Sequence, residues 1–145
     1  MHIEVDQSGK IEDYMNTIVA FRNKEQYTVL LQRQIKNEIL TKYRNKYKDI
    51  HYRLFAILIY YCIKNYLHNV QLIVIDDEYE KRGVDIKKHL LRLIWKDYPN
   101  FDKELIRFSR IGKKSNAHRL AYQTFVGKLA PNKILSKNEI ENLIF

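Results

Sequence analysis

The stretch IVIDDEYEKR, Ile73 to Arg82, runs from an apolar string directly into three acids, Asp76, Asp77 and Glu78, on a chain with a formal net charge of +9. Three adjacent like charges repel, so solvent, basic side chains or a bound cation must compensate them. At the start of the chain, HIEVD ends in another acid, Asp6. Carboxylate oxygen suits hard divalent cations, and carboxylates on strands about 4.8 Å apart can share one. The chemistry that such a pair supports is metal-assisted hydrolysis, in which two cations about 3.5 to 4 Å apart activate a water and stabilise a leaving oxygen. Each acid also has a plainer reading. Asp is common where a strand closes into a turn such as QSG, and a strand-terminal acid can simply face solvent.

Other chemistry-bearing residues are more scattered. Glu38 lies between Ile35 and Ile39 on a helical wheel, where it can reach inward at the edge of the core face or pair with Lys42 four residues on. Glu12 and Asp13 are reserves if that helix faces elsewhere. His2, His51, His68 and His89 have no companion at metal-ligand spacing and read as structural or surface residues. Arg110, Lys113 and Lys114 precede a helix whose first N–H groups are exposed, a receptive place for phosphate, with Arg119 just inside the helix; a solvated basic turn is the alternative. Ser115 reads as the cap of that helix. The chain has no Gly-rich phosphate loop, no G-x-S-x-G elbow and no paired Cys motif, which disfavours P-loop nucleotide hydrolysis, an α/β-hydrolase and a zinc finger.

These groups must be carried by an ordered set of elements. The alternation of Ile3 and Val5 with His2, Glu4 and Asp6 predicts a first strand. NTIVAFRN and QYTVLLQ, separated by the polar break NKE, predict two more and complete a meander. From Gln34 the spacing of Ile35, Ile39, Tyr43 and Tyr47 predicts a helix, and the nearly unbroken apolar run that follows predicts a second helix over 52–67, buried on more than one side. VQLIVI, Val70 to Ile75, reads as a central strand covered on both faces. Asp85 can cap a third helix, with Ile86, Leu90, Leu93 and Ile94 on one face, ending near Pro99. A fifth strand fits ELIRFSRI, and a further helix carries Leu120, Ala121, Phe125 and Val126. SKNE has the form of a capping box and predicts a short amphipathic helix over 136–145 with Ile140, Leu143, Ile144 and Phe145 on its apolar face. That face packs on its own domain or docks a partner protein or second copy. A meander followed by helical crossovers predicts an α/β fold with a mixed five-stranded sheet, the fourth strand beside the first. Ligands gather at the carboxyl ends of such strands where the chain order diverges, which is where Asp6 and Asp76 stand.

The bulk numbers bound the setting. The 145 residues, 46% hydrophobic and 30% charged, fit one domain spanning 1–145. One cysteine, Cys62, excludes an intramolecular disulfide. The first ten residues carry charges and no apolar core, and the longest apolar run, Leu54 to Ile63, is about half of the roughly 20 residues that span a bilayer. The expectation is a cytoplasmic protein with no membrane partner. The charge of +9 favours an anionic partner, nucleic acid first. Abundant Lys, Ile, Asn and Tyr would also follow from an AT-rich genome.

The order of elements resembles the ribonuclease H-like superfamily, which has an Asp on its first strand, a Glu on its first helix, an Asp ending its fourth strand and an acid or His on its last helix. EVDQSG resembles the first motif at Asp6, IDDEY resembles the fourth-strand motif at Asp76, and NEIL places Glu38 where the helical Glu is expected. IGKKSNAHRLA looks like the last-helix motif with His118 in place of an aspartate. His at that position is similar to some Holliday-junction resolvases of the superfamily, and to that extent departs from strict specificity for RNA/DNA hybrids. The resemblance implies a divalent-metal-dependent nuclease acting on phosphodiester bonds of hybrid or branched RNA or DNA, with Asp6, Asp76, Glu38 and His118 as metal and catalytic residues. Mg²⁺ is the first expectation and Mn²⁺, favoured by imidazole, the second. His118 can alternatively act as general acid or base. The rival expectation is a catalytically silent nucleic-acid-binding or assembly module on the same fold.

Overall fold

The computed structural model describes residues 1–144. The alternation at the start of the chain forms β1 (His2–Ser8), and the two β-branched and aromatic runs form β2 (Thr17–Arg22) and β3 (Gln26–Leu31). β1 pairs antiparallel with β2, and β2 with β3. β4 (Leu72–Asp76) lies parallel to β1, and β5 (Ile106–Ser109) lies parallel to β4. The sheet is mixed and its order is β5-β4-β1-β2-β3-β6, where β6 is the short strand Lys133–Ile134.

The sheet has six strands rather than the five expected. β6 (Lys133–Ile134) adds two residues parallel to β3 at Val29 and Leu30. Two residues carry no readable periodicity. What seats them is a side chain: Asn132 Oδ1 accepts from the Thr28 N–H at 2.9 Å, while the Asn132 N–H donates to Thr28 Oγ1 at 2.9 Å.

Five helices flank this sheet: α1 (Arg33–Tyr43), α2 (Ile50–Ile63), α3 (Gly83–Asp97), α4 (Asn116–Phe125) and α5 (Lys137–Glu141). Beyond its first turn, α2 is apolar all round because it is enclosed, with Leu54, Phe55, Ile57, Leu58 and Ile59 at or near zero exposure. It ends sooner than expected, and a 3-10 turn over Lys64–Asn69 leads into β4. Asp85 is not the cap of α3; Arg82 holds that position, and Asp85 stands inside the first turn, where an acid suits the helix dipole. The capping box at Ser136 and Glu139 forms as expected. Ile140 and Ile144 are fully buried and Leu143 packs on the core, so the apolar face of α5 is covered by its own chain. The Phe145 contribution to that face lies outside the described residues.

The two faces of the sheet are unequal. Ile3, Val5, Val19 and Phe21 pack under α1, α2 and α3 in the main core, whereas Ile18 and Ala20 meet Leu120 and Ala121 of α4 in a small one. α4 packs mainly on β1 and β2, with no comparable packing on β4. β4 is therefore buried at Ile73 and Ile75 and only half-covered at Leu72, Val74 and Asp76, instead of enclosed on both faces as its composition predicts. The uncovered part is where the site opens. Among the described residues no helix is long and apolar enough to cross a membrane.

Candidate metal centre

Strand register brings the first two acids together. Val5 pairs with Ile75, so Asp6 and Asp76, the next residues on two parallel neighbours, stand side by side at the carboxyl ends of β1 and β4. Asp76 Oδ1 accepts the Ile111 N–H at 2.7 Å, which fixes it from the far side of β5. The chain beyond Asp76 then reverses. The Asp77 N–H donates to Ser109 O at 3.0 Å, extending the pairing with β5 by one residue, and the Glu78 N–H donates back to Asp76 O at 2.9 Å. That reversal returns the Glu78 side chain to the strand tips. One carboxylate oxygen from each of Asp6, Asp76 and Glu78 lies within 4.8 Å of the others. They line a cleft of about 470 Å³ together with His118, Arg110 and Lys113.

Asp6 is the anchor of the group and is only 2% exposed. Its Oδ1 accepts the Gln7 N–H at 2.8 Å, and its Oδ2 is 2.9 Å from His118 Nδ1. Ser115 accepts the His118 N–H at 3.0 Å, so the cap of α4 also sets the position of the imidazole. Burial and then the Asp76 charge push the Asp6 carboxyl above the usual range, against the opposing hydrogen bonds from Gln7 and His118. Burial, followed by a hydrogen bond with Asp76 and the Asp76 and Asp6 charges, pushes Glu78 up as well. Desolvation and mutual repulsion thus disfavour the charged forms of Asp6 and Glu78, as in a cluster short of positive charge. Three converging carboxylate oxygens fit a hard divalent cation, and the cluster can hold a metal ion.

Glu38 is not brought to this cluster. It points outward and makes a 3.5 Å ion pair with Lys137 of α5. The reason is helical phase. α1 buries Lys36, Ile39 and Tyr43, and two residues turn a helix by roughly 200°, so the position after next from Lys36 faces solvent. The Lys36 ammonium, wholly buried, donates to Lys10 O and Thr17 Oγ1, both at 3.1 Å, and pins the loop that leaves β1. Glu12 and Asp13 are exposed, Glu12 accepting a bond from the Tyr79 hydroxyl at 3.2 Å.

Of the basic candidates, Arg110 and Lys113 flank the acids, Arg110 reaching Glu80 at 3.5 Å, while Lys114 and Arg119 are exposed and stand outside the cleft lining. Sequence reasoning passed over Lys36 because a lysine on a core face contradicts the apolar phase. His89, expected to be a structural or surface residue, is buried on α3 with Nε2 2.6 Å from Asp49 Oδ2. No protein-family model, curated protein or solved structure matches this chain.

Proposed function

We propose that the protein is a divalent-metal-dependent nuclease of ribonuclease H-like type, hydrolysing phosphodiester bonds. The observation that carries this reading is the convergence of Asp6, Asp76 and Glu78 at the tips of two adjacent parallel strands, beside a histidine and two cationic side chains. The resemblance at EVDQSG, IDDEY and SNAHRLA supports it, with Glu78 in place of Glu38 as the third acid. Mg²⁺ is the expected ion and Mn²⁺ the alternative.

Asp6, Asp76 and Glu78 would hold the ion. When bound, it lowers the pKa of a water to supply hydroxide near neutrality and stabilises charge on the leaving oxygen. His118 Nδ1 donates to ionised Asp6, an assignment that follows from the acceptor, and this leaves Nε2 free to take or give a proton at the cleft. Arg110 and Lys113 at the rim offset phosphate charge and orient the backbone.

A second reading, a catalytically silent nucleic-acid-binding or assembly module, is favoured by one observation: Glu38 faces away from the acids and Lys36 occupies the buried face of its helix. One experiment separates the two. Purified protein is incubated with hybrid, branched and single-stranded substrates in Mg²⁺ or Mn²⁺, beside Asp6→Asn and Asp76→Asn. The nuclease reading expects cleavage by the native protein alone. Cleavage that persists in both variants overturns it, and metal-independent binding without cleavage favours the silent module.

A further inference from the structure

The outer side of α3 carries a basic stripe that the acid cluster does not use. Lys88, Arg92 and Lys96 recur every four residues, about 6 Å apart along the axis, and so share one side of the helix. With Arg53 of α2, His89 and Trp95 they line an open groove of about 750 Å³. The groove belongs to the α2–α3 side of the sheet, whereas Asp6 pairs with Ala20 and faces α4 on the other side.

Its charge is largely unspent. Among the described residues Lys88 and Lys96 make no ion pair. Arg92 donates from Nη2 to Leu143 O at 3.1 Å, while its Nε and Nη1 are enclosed without an acceptor among the described residues. Asp49, which reaches the groove residues Arg53 and His89, is already taken by Arg53 at 3.0 Å and by His89. Trp95 adds a different element. Its indole N–H is committed to Phe101 O at 2.9 Å, which fixes the ring, and the residue is 41% exposed. The free surface of a fixed indole has no polar demand of its own and suits a flat ring.

Cations at regular spacing next to a fixed aromatic surface make the combination by which single strands are held, phosphates on the charges and a base on the ring. An acidic peptide would use the cations and leave the indole idle. We infer that the α3 groove is a second, metal-independent binding site for single-stranded nucleic acid, with the exposed Lys88 and Lys96 on phosphates, Arg92 adding its charge from beneath, and Trp95 under a base. Binding here needs neither the acids nor a cation, so it stands or falls separately from the nuclease reading.

Trp95 is the only tryptophan in the chain, so its emission reports on this groove alone. The test is a titration of the full chain with an oligothymidylate of about 15 nucleotides in EDTA, a length that covers a strand-binding site of this kind. Quenching of the emission is expected, with affinity that falls as salt rises. Lys88→Ala with Lys96→Ala should weaken binding about tenfold or more and reduce the slope of log K against log salt by about 1.4, two phosphate contacts on a single strand. Glu38→Gln, which lies in neither site, should bind as the native protein does. Both lysines are exposed, and an unchanged melting temperature verifies that the doubly substituted protein is folded. An absence of quenching, a titration curve unaltered by the double substitution, or equal quenching by polyglutamate would each overturn the assignment.

Discussion

The carboxylate of Asp6 and the Nδ1 of His118 lie 2.9 Å apart although 112 positions separate them in the chain. Asp6 comes from the central strand and His118 from the first turn of the last long helix, so one contact ties the site to the two elements that enclose the minor core. The imidazole offers Asp6 a hydrogen bond and a favourable electrostatic interaction. Yet burial and Asp76 still outweigh it, and the carboxyl stays above its usual range.

It follows that Asp6→Asn should not harm folding. The amide still accepts from Gln7 and keeps its place beside His118, and one repelling charge is gone. The metal-free variant should melt at or above the native temperature, while Mg²⁺-supported cleavage falls about a hundredfold or more, since ion-borne stabilisation of the transition state is worth several kcal/mol. Thermal melts and cleavage rates on one preparation check both. A variant that is active, or unfolded, would count against the arrangement.

Glu78 and Glu38 give opposite expectations. Glu78→Gln removes one of the three converging oxygens and should reduce the rise in melting temperature produced by saturating Mn²⁺, a rise worth about 2.7 kcal/mol in the native protein at a hundred times the dissociation constant. Glu38→Gln breaks only a 3.5 Å ion pair between half-exposed side chains, and should leave that rise intact and stability within about 1 kcal/mol.

That contrast marks how far the sequence could be read. The alternation in HIEVD, the meander and the apolar run before Asp76 placed β1 beside β4, and the convergence of Asp6 with Asp76 followed from strand order alone. Glu78 was visible as part of an acid run, but its return to the strand tips depends on the reversal made by its own N–H to Asp76 O, which no periodicity encodes. Glu38 was misplaced because Ile35 and Ile39 suggest a phase that the buried Lys36 shifts. A buried ammonium is stable only with acceptors from elsewhere in the chain, here Lys10 O and Thr17 Oγ1, and such partners are invisible before folding.

Gly9 should be intolerant of any side chain. Its φ is +78°, and a Cβ there would lie 2.1 Å from Asn16 O and 2.6 Å from a Phe125 ring carbon. Backbone strain and displacement of the loop over 10–16 should cost Gly9→Ala about 2 kcal/mol or more, a fall in melting temperature of about 6 °C for a chain of this size. Calorimetry checks it, and a loss below half that figure would contradict the loop geometry.

His89 predicts a pH limb in stability. Burial holds the imidazole below its ordinary value near 6.5, opposed by the hydrogen bond to Asp49 and assisted by the charges of Arg53 and Arg92. The unfolded chain therefore binds the proton first, and stability contributed by neutral His89 is full above pH 6.5 and is lost as pH falls toward the depressed folded value. Asp49, held low by Arg53 and His89 in spite of burial, acts in the same direction at lower pH. Melts between pH 7.5 and about 5 should show a steeper decline for the native protein than for His89→Gln, whose amide can still donate to Asp49; equal slopes would contradict this.

The central claim is that the strand tips of β1 and β4 form a cation site, and the most direct measurement is Mn²⁺ binding followed by electron paramagnetic resonance. Native protein should take up Mn²⁺, and a folded Asp6→Asn, Asp76→Asn double variant should leave the ion free in solution. Native protein that takes up no Mn²⁺, or a double variant that binds it as tightly as native, would contradict the account.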